Sequence, residues 1–302
     1  MTSPANVRIV EVGPRDGLQN ESREFSTQTR IELVRRLLES GCAKVEAGSF
    51  VSPKWVPKMA DTAQVLEAFD AAQMDRLAVL VPNDRGMESA VDAGVREIAI
   101  FGAASETFSR KNINCSIADS LARFEPVCEL ARRHEIRIRG YISCVLGCPY
   151  EGEVDGAVVA RIAARLFDMG CYEVSLGDTI GVGTPLKARA LVETVAADNP
   201  IERLAVHFHD TYGQAVANIF AALELGIGVV DCSVAGLGGC PYAPGAAGNV
   251  ATEDVLYLLD GMGIAHGIDV DRLLDAARFI LDALGKPPVS RVSAARLGRC
   301  DT

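Results

Sequence analysis

Eight short runs of apolar and β-branched residues alternate with longer segments of helical periodicity, and this alternation strongly limits the folds open to the chain. Each short run is predicted to be a strand, and the eight runs are 7–12, 44–48, 76–81, 97–101, 137–143, 171–176, 204–209 and 229–234. The segments between them carry apolar residues at spacings of three and four, as amphipathic helices do. Four of these segments end in a glycine just before the next strand, which is typical of a helix C-terminus.

Eight strand–helix units without a domain linker predict an α/β protein with a (β/α)8 TIM-barrel fold. The alternative is a doubly wound open sheet, but the first strand is not followed by the G-x-G-x-x-G turn common in that class. The eighth helix is predicted near 252–259, and an additional C-terminal helix follows over 270–284. We therefore expect one domain over 1–285 and a tail over 286–302 that is mobile.

The composition limits the kinds of molecule that the protein is expected to bind. The chain has 302 residues, 49% hydrophobic and 23% charged, so it is long enough for one large core. Its net charge of −10 argues against general nucleic-acid binding. It has no apolar stretch of membrane-spanning length, no signal-like N-terminus and no C-x-x-C pair among its nine cysteines. We expect a cytoplasmic protein with a small-molecule substrate and with neither a nucleic-acid nor a membrane partner.

Two histidines stand where the seventh predicted strand ends. His207 and His209 are two residues apart, so an extended strand places both imidazoles on the same side. Active sites of TIM barrels lie at the C-terminal ends of the strands. The pair is therefore a candidate for binding a divalent cation, and the alternative is two histidines that only pack.

Two further residues near strand ends would complete such a site. Asp16 follows the first strand and Asn249 follows the eighth, so the four side chains offer two oxygens and two imidazole nitrogens. Carboxylate and amide oxygens favour Mg²⁺ or Mn²⁺, whereas imidazoles shift the preference towards Zn²⁺, Fe²⁺ or Co²⁺. The alternative for Asp16 and for Asn249 is a helix-capping role.

Arg15, next to Asp16, would place a guanidinium beside the cation and could bind a carboxylate or a developing oxyanion. A buried arginine needs acidic neighbours, and Glu46 and Asp178 at nearby strand ends are the candidates. The alternative is a structural network of ion pairs.

Cys240 lies in a loop rich in glycine, 236–248, which is either a mobile lid or a backbone cradle for an anion. Its thiol is either a catalytic acid or a passive loop residue.

Five segments resemble 3-hydroxy-3-methylglutaryl-CoA (HMG-CoA) lyases: 10–21, 49–57, 101–106, 175–185 and the most diagnostic one, 233–242, which contains Cys240. The resemblance runs from about residue 7 to the last helix. The wider superfamily shares the Arg15-Asp16 pair and the strand with two histidines, and it includes condensing enzymes such as isopropylmalate and homocitrate synthases. The glycine loop with its cysteine favours the lyase branch.

The resemblance implies a role for each candidate. It implies a TIM barrel that holds Mg²⁺ or Mn²⁺, an arginine that stabilises an oxyanion with two supporting carboxylates, and a catalytic loop cysteine. The implied cation ligands are Asp16, His207, His209 and Asn249. The implied catalytic residues are Arg15, Glu46, Asp178 and Cys240, together with Asp16 or His207 as the base.

The reaction implied is cleavage of HMG-CoA to acetyl-CoA and acetoacetate, and no motif decides whether longer analogues such as 3-hydroxy-3-isohexenylglutaryl-CoA are also cleaved. We expect Arg15 and Gln19 to contact the substrate. Arg110 and Lys111 are candidates for the CoA phosphates, with a solvated surface pair as the alternative. We also expect a homodimer or a higher homo-oligomer. The alternatives are a synthase that condenses acetyl-CoA with a 2-oxo acid and a non-catalytic acyl-CoA-binding barrel.

Overall fold

A computed structural model describes residues 3–239 and 248–297, and its centre is a closed barrel of eight parallel strands. Each strand pairs with the next in the chain, and the eighth pairs with the first, so the predicted TIM barrel is confirmed. The strands are β1 Arg8–Glu11, β2 Lys44–Ser49, β3 Leu77–Leu80, β4 Glu97–Ala103, β5 Arg137–Ser143, β6 Glu173–Asp178, β7 Leu204–Phe208 and β8 Val229–Cys232. All eight match predicted runs to within a few residues.

Helices surround the barrel, and the C-terminal helix predicted over 270–284 is present with those bounds. The α-helices in the described ranges are α1 Leu18–Asn20, α2 Thr27–Glu39, α3 Thr62–Leu66, α4 Ala71–Met74, α5 Asp84–Asp92, α6 Glu106–Ile113, α7 Ile117–Arg133, α8 Gly156–Asp168, α9 Pro185–Ala196, α10 Ala215–Leu223, α11 Thr252–Met262, α12 Val270–Leu284 and α13 Arg291–Leu297. None of them is both long enough and apolar enough to cross a membrane.

Helix α2 shows how the local sequence sets these elements. The Ser26 side chain accepts a hydrogen bond from the Thr29 backbone N–H at 3.1 Å and so caps the first turn. Leu33 and Leu37 are fully buried on one face of the helix, and burial of each leucine contributes about 1.5–3 kcal/mol. Gly41 then turns the chain with a φ of 101°. A Cβ there would lie 2.5 Å from the Gly267 carbonyl oxygen, so glycine is required.

Part of the tail that we expected to be mobile is packed against the barrel. Helix α13 lies within it, and Ser293 is fully buried. The Asp254 carboxylate of α11 accepts hydrogen bonds from the Ser290 hydroxyl and the Val292 N–H, both at 2.8 Å. These contacts hold the start of α13 on the last barrel helix.

Candidate active site

A tight turn after β1 presents Arg15 and Asp16 at the C-terminal end of the barrel, which we call the upper end. Residues Gly13–Gly17 form a π-helical turn, in which the Val12 carbonyl accepts the Asp16 N–H at 2.8 Å. A Cβ at Gly17 would lie 2.7 Å from the Leu237 Cβ, so a side chain there would push the turn away from the β8 side of the barrel. The glycine therefore allows the close approach that brings Asp16 near the eighth strand.

The two histidines meet at the end of β7, as the two-residue period predicted. Their Nε2 atoms are 3.4 Å apart. Asp16, His207 and His209 each offer one ligand atom, and these three atoms lie within 4.8 Å of one another. Two nitrogens that bind one cation at about 2.0–2.2 Å are separated by roughly 2.8–3.6 Å, from neighbouring octahedral positions to tetrahedral ones. The spacing therefore fits two imidazoles that share one ion.

Asn249 joins this group from the other side. Its backbone forms a bridge with His209, and its Nδ2 donates to Asp16 Oδ2 at 2.8 Å and to the Leu237 carbonyl at 3.2 Å. These bonds orient the amide, so a ligand role falls to its Oδ1. Asn249 does not cap the eighth barrel helix, because the N-cap of α11 is Ala251.

The protonation states of the cluster suit a cation. Burial alone would raise the pKa of Asp16, but Arg15, the two histidines and the bond from Asn249 lower it to about 2. Burial, aided by His207, lowers the pKa of His209 to about 4. At neutral pH the site therefore offers a carboxylate and an unprotonated imidazole, which are the forms that bind metal ions.

Arg15 lies beside the cluster and is 7% exposed. Its Nε donates to Glu46 Oε1 at 2.5 Å, and its Nη1 donates to Asp16 Oδ1 at 2.6 Å. The Tyr141 hydroxyl donates to the other Glu46 oxygen at 2.7 Å. Burial would lower the pKa of Arg15, but the two carboxylates raise it above its usual range, so the guanidinium stays charged. Glu46 is thus the arginine partner that the sequence predicted.

Asp178 was the other predicted partner of Arg15, and that prediction was wrong. Its Oδ2 accepts the Gly183 N–H at 2.7 Å, and its Oδ1 accepts the Val182 N–H at 3.2 Å. Burial raises the pKa of this carboxyl group. Asp178 therefore orders its own loop after β6, because its carboxylate binds the backbone N–H groups of that loop.

Three polar residues of the barrel interior were missed by the sequence reasoning. Arg139 of β5 binds Asp231 of β8 with two hydrogen bonds of 3.0 and 2.7 Å, and Asp231 Oδ2 lies 3.5 Å from His207 Nδ1. The third is Tyr141, whose ring centroid lies 4.9 Å from the Arg139 guanidinium. A signal was present, because charged side chains within a buried strand need partners inside the barrel.

The remaining predicted residues are Cys240, Gln19, Arg110 and Lys111. Cys240 falls in 240–247, which the structure does not describe. The side-chain oxygen of Gln19 is buried and has no hydrogen-bond partner within the described parts of the chain. The Nζ atom of Lys111 lies 3.9 Å from the centroid of the Tyr150 ring, and Arg110 is exposed beside Glu106.

Comparisons with known sequences point to one family. The HMGL-like family profile matches residues 6–280. The 3-hydroxy-3-isohexenylglutaryl-CoA/hydroxy-methylglutaryl-CoA lyase of Pseudomonas aeruginosa is 58% identical over 299 residues, which cover 99% of this chain and 100% of the relative. The human mitochondrial hydroxymethylglutaryl-CoA lyase is 53% identical over 97% of this chain and 90% of its own length.

Solved structures show the same architecture. A crystal structure of hydroxymethylglutaryl-CoA lyase from Pseudomonas aeruginosa superposes with a TM-score of 0.96 at 58% identity and covers 99% of both chains. An HMG-CoA lyase from Acinetobacter baumannii, in complex with coenzyme A and 3-methylmalate, has a TM-score of 0.90 at 33% identity. It covers 100% of this chain and 98% of its own.

Proposed function

Because the chain belongs to the HMGL-like family, we propose that it is a divalent-metal-dependent carbon–carbon lyase that cleaves HMG-CoA to acetyl-CoA and acetoacetate. The observation that carries this proposal is the convergence of Asp16, His207 and His209 beside the buried Arg15. The name of the Pseudomonas relative adds a second candidate substrate, the longer isohexenyl analogue.

We assign the cation, Mg²⁺ or Mn²⁺, to Asp16, His207, His209 and Asn249. The donor set supports this assignment, because it combines one carboxylate, one amide oxygen and two imidazoles within a small space. When bound there, the cation would supply positive charge that lowers the pKa of the tertiary hydroxyl group of the substrate.

Arg15 stabilises the charge that develops when the C2–C3 bond breaks. The bonding electrons move to the acetyl-CoA fragment and form an enolate, whose charge lies on the thioester oxygen. The Nε and Nη1 atoms of Arg15 are used by Glu46 and Asp16, which leaves Nη2 to donate to that oxygen. One such preorganised donor is typically worth about 10²–10³ in kcat. Glu46 keeps the guanidinium in place, and Asp178 orders the loop after β6.

Two proton transfers complete the reaction. A base removes the proton of the C3 hydroxyl group, and the candidates are Asp16 and His207, which both belong to the candidate cation site. A pKa of about 2 makes Asp16 a weak base before substrate binds. We assign the return of a proton to the enolate carbon to Cys240. We also keep Gln19 as a substrate contact and Arg110 with Lys111 as contacts for the CoA phosphates.

The purified protein incubated with HMG-CoA tests the proposal. We expect acetyl-CoA and acetoacetate in equal amounts by mass spectrometry, no product after EDTA treatment and recovery when Mg²⁺ or Mn²⁺ is added. A parallel incubation with the isohexenyl analogue defines the range of acyl chains. The variant His209→Ala should lose the metal-dependent activity. The matched control His266→Ala should keep it, because the His266 ring bonds to Asp260 and to the Ile268 N–H, outside the candidate cation site.

Two results would contradict the proposal. Release of free thiol from acetyl-CoA in the presence of 2-oxo acids, without cleavage of HMG-CoA, would identify a condensing synthase. Tight binding of HMG-CoA without product would identify a non-catalytic acyl-CoA-binding barrel.

A further inference from the structure

We propose that Asp231 is a positioning residue that holds His207 in the tautomer and orientation needed to bind a cation through Nε2. The inference rests on the cation site proposed above and adds a residue from inside the barrel to it. Asp231 lies on β8, directly opposite His207 in the pairing of β7 with β8. It is 1% exposed, so it acts entirely within the protein interior.

The geometry places one carboxylate oxygen behind the imidazole. Asp231 Oδ2 lies 3.5 Å from His207 Nδ1, on the side of the ring away from His209. The ring of Tyr141 meets the His207 ring edge-on, with centroids 6.0 Å apart and an interplanar angle of 84°. Tyr141 therefore restricts rotation of the imidazole on one side while Asp231 faces its outer nitrogen.

Asp231 is itself fixed by three hydrogen bonds. Arg139 donates to its two oxygens at 3.0 and 2.7 Å, and the Ser175 hydroxyl donates to Oδ2 at 2.7 Å. The Arg139 guanidinium binds both oxygens with a fork of two parallel hydrogen bonds, which is how arginine pairs with an ionised carboxylate. Asp231 is therefore a carboxylate that only accepts hydrogen bonds.

The tautomer of His207 follows from this charge. An ionised carboxylate accepts hydrogen bonds and cannot donate them. The proton of a neutral His207 is therefore drawn to Nδ1, and Nε2 keeps its lone pair on the side where Asp16 and His209 lie. Outer partners of this kind orient histidine ligands in metal sites, and their removal typically weakens metal binding by about 10–100-fold.

The variant Asp231→Asn and a matched control test this role. Glu173→Gln is the control, because Glu173 also accepts a hydrogen bond from Arg139, at 2.7 Å, but does not contact His207. Both variants remove one buried carboxylate from the same arginine. We would measure Mn²⁺ binding without substrate, from the electron paramagnetic resonance signal of free Mn²⁺, and thermal melting of each protein. We expect about 10–100-fold weaker binding for Asp231→Asn and less than threefold weaker binding for Glu173→Gln.

Nitrogen-15 NMR of the wild-type histidines gives a second test that needs no stable variant at Asp231. The chain has only four histidines, and loss of a signal set in His207→Gln identifies the residue. We expect the Nδ1–H tautomer for His207 in the metal-free protein. The Nε2–H tautomer, or equal Mn²⁺ affinity in wild type and Asp231→Asn, would overturn the inference. Failure of wild type to bind Mn²⁺ would instead overturn the cation site and this inference with it.

Discussion

The two ends of the barrel contain the same three-membered unit, in which a tyrosine donates to a buried glutamate that is paired with a buried cationic side chain. At the upper end the unit is Tyr141, Glu46 and Arg15. At the lower end, where the strands begin, Tyr172 donates to Glu97 at 2.9 Å, and Lys44 lies 2.8 Å from the other Glu97 oxygen. The two units differ in what else their cation contacts.

The residues of the lower unit contact other groups at the lower end of the barrel. Lys44 also donates to the Asp75 carbonyl at 3.0 Å, and Arg137 lies 3.0 Å from Glu97 as a second cation. The cation of the upper unit, Arg15, instead bonds to Asp16, which belongs to the candidate cation site. The same unit therefore has only structural partners at one end and places a charge beside the candidate cation site at the other. The role of each unit therefore depends on the groups around it and not on the residue types within it.

Arg15→Met should have the largest effect and should act on turnover. The variant keeps the length of the side chain but removes the donors that face the enolate oxygen, so kcat/KM for HMG-CoA should fall about 10²–10³-fold. Steady-state kinetics at saturating Mn²⁺ would measure this loss. A kcat within threefold of wild type would remove Arg15 from the mechanism and, with it, the contrast between the two ends.

Lys44→Met should act on stability instead. The substitution leaves Glu97 buried with Arg137 as its remaining cationic partner, and breaking a buried pair from one side costs about 3 kcal/mol or more. Urea unfolding would measure the free energy of unfolding, while kcat of the folded protein should stay within twofold of wild type. Lys187→Met is the matched control, because Lys187 pairs with Glu153 at 3.5 Å on the surface, and its loss should be below about 0.5 kcal/mol.

The upper end also shows how far sequence reasoning reaches. The strand ends were predictable, because parallel strands that alternate with helices bring all their C-terminal ends to one face. That topology alone brings Asp16, His207 and His209 together, although Asp16 and His207 are 191 positions apart in the chain.

The partners of the charged groups were not predictable in the same way. Asp178 ends β6 and Glu46 lies within β2, and both were expected to pair with Arg15, yet the Asp178 carboxylate bonds to backbone N–H groups four and five residues further on. Whether the Asp178 carboxylate binds that loop or Arg15 depends on the conformation of the loop, which the residue types do not reveal. Arg139 and Asp231 are 92 positions apart and sit within apolar strand runs, so their pairing depends on the register around the whole barrel.

Replacing each tyrosine by phenylalanine gives the smallest and most direct comparison of the two units. Tyr141→Phe and Tyr172→Phe each remove one hydrogen bond to a carboxylate, which should lower the free energy of unfolding by about 1.5–3 kcal/mol in both variants. Only Tyr141→Phe should also lower kcat/KM, by roughly tenfold, because a 1.4 kcal/mol loss in the orientation of Glu46 and Arg15 corresponds to that factor. Tyr172→Phe should remain within twofold of wild type. Equal activity in the two variants would show that Glu46 holds Arg15 in place without the bond from Tyr141. The upper unit would then need only Glu46 and Arg15.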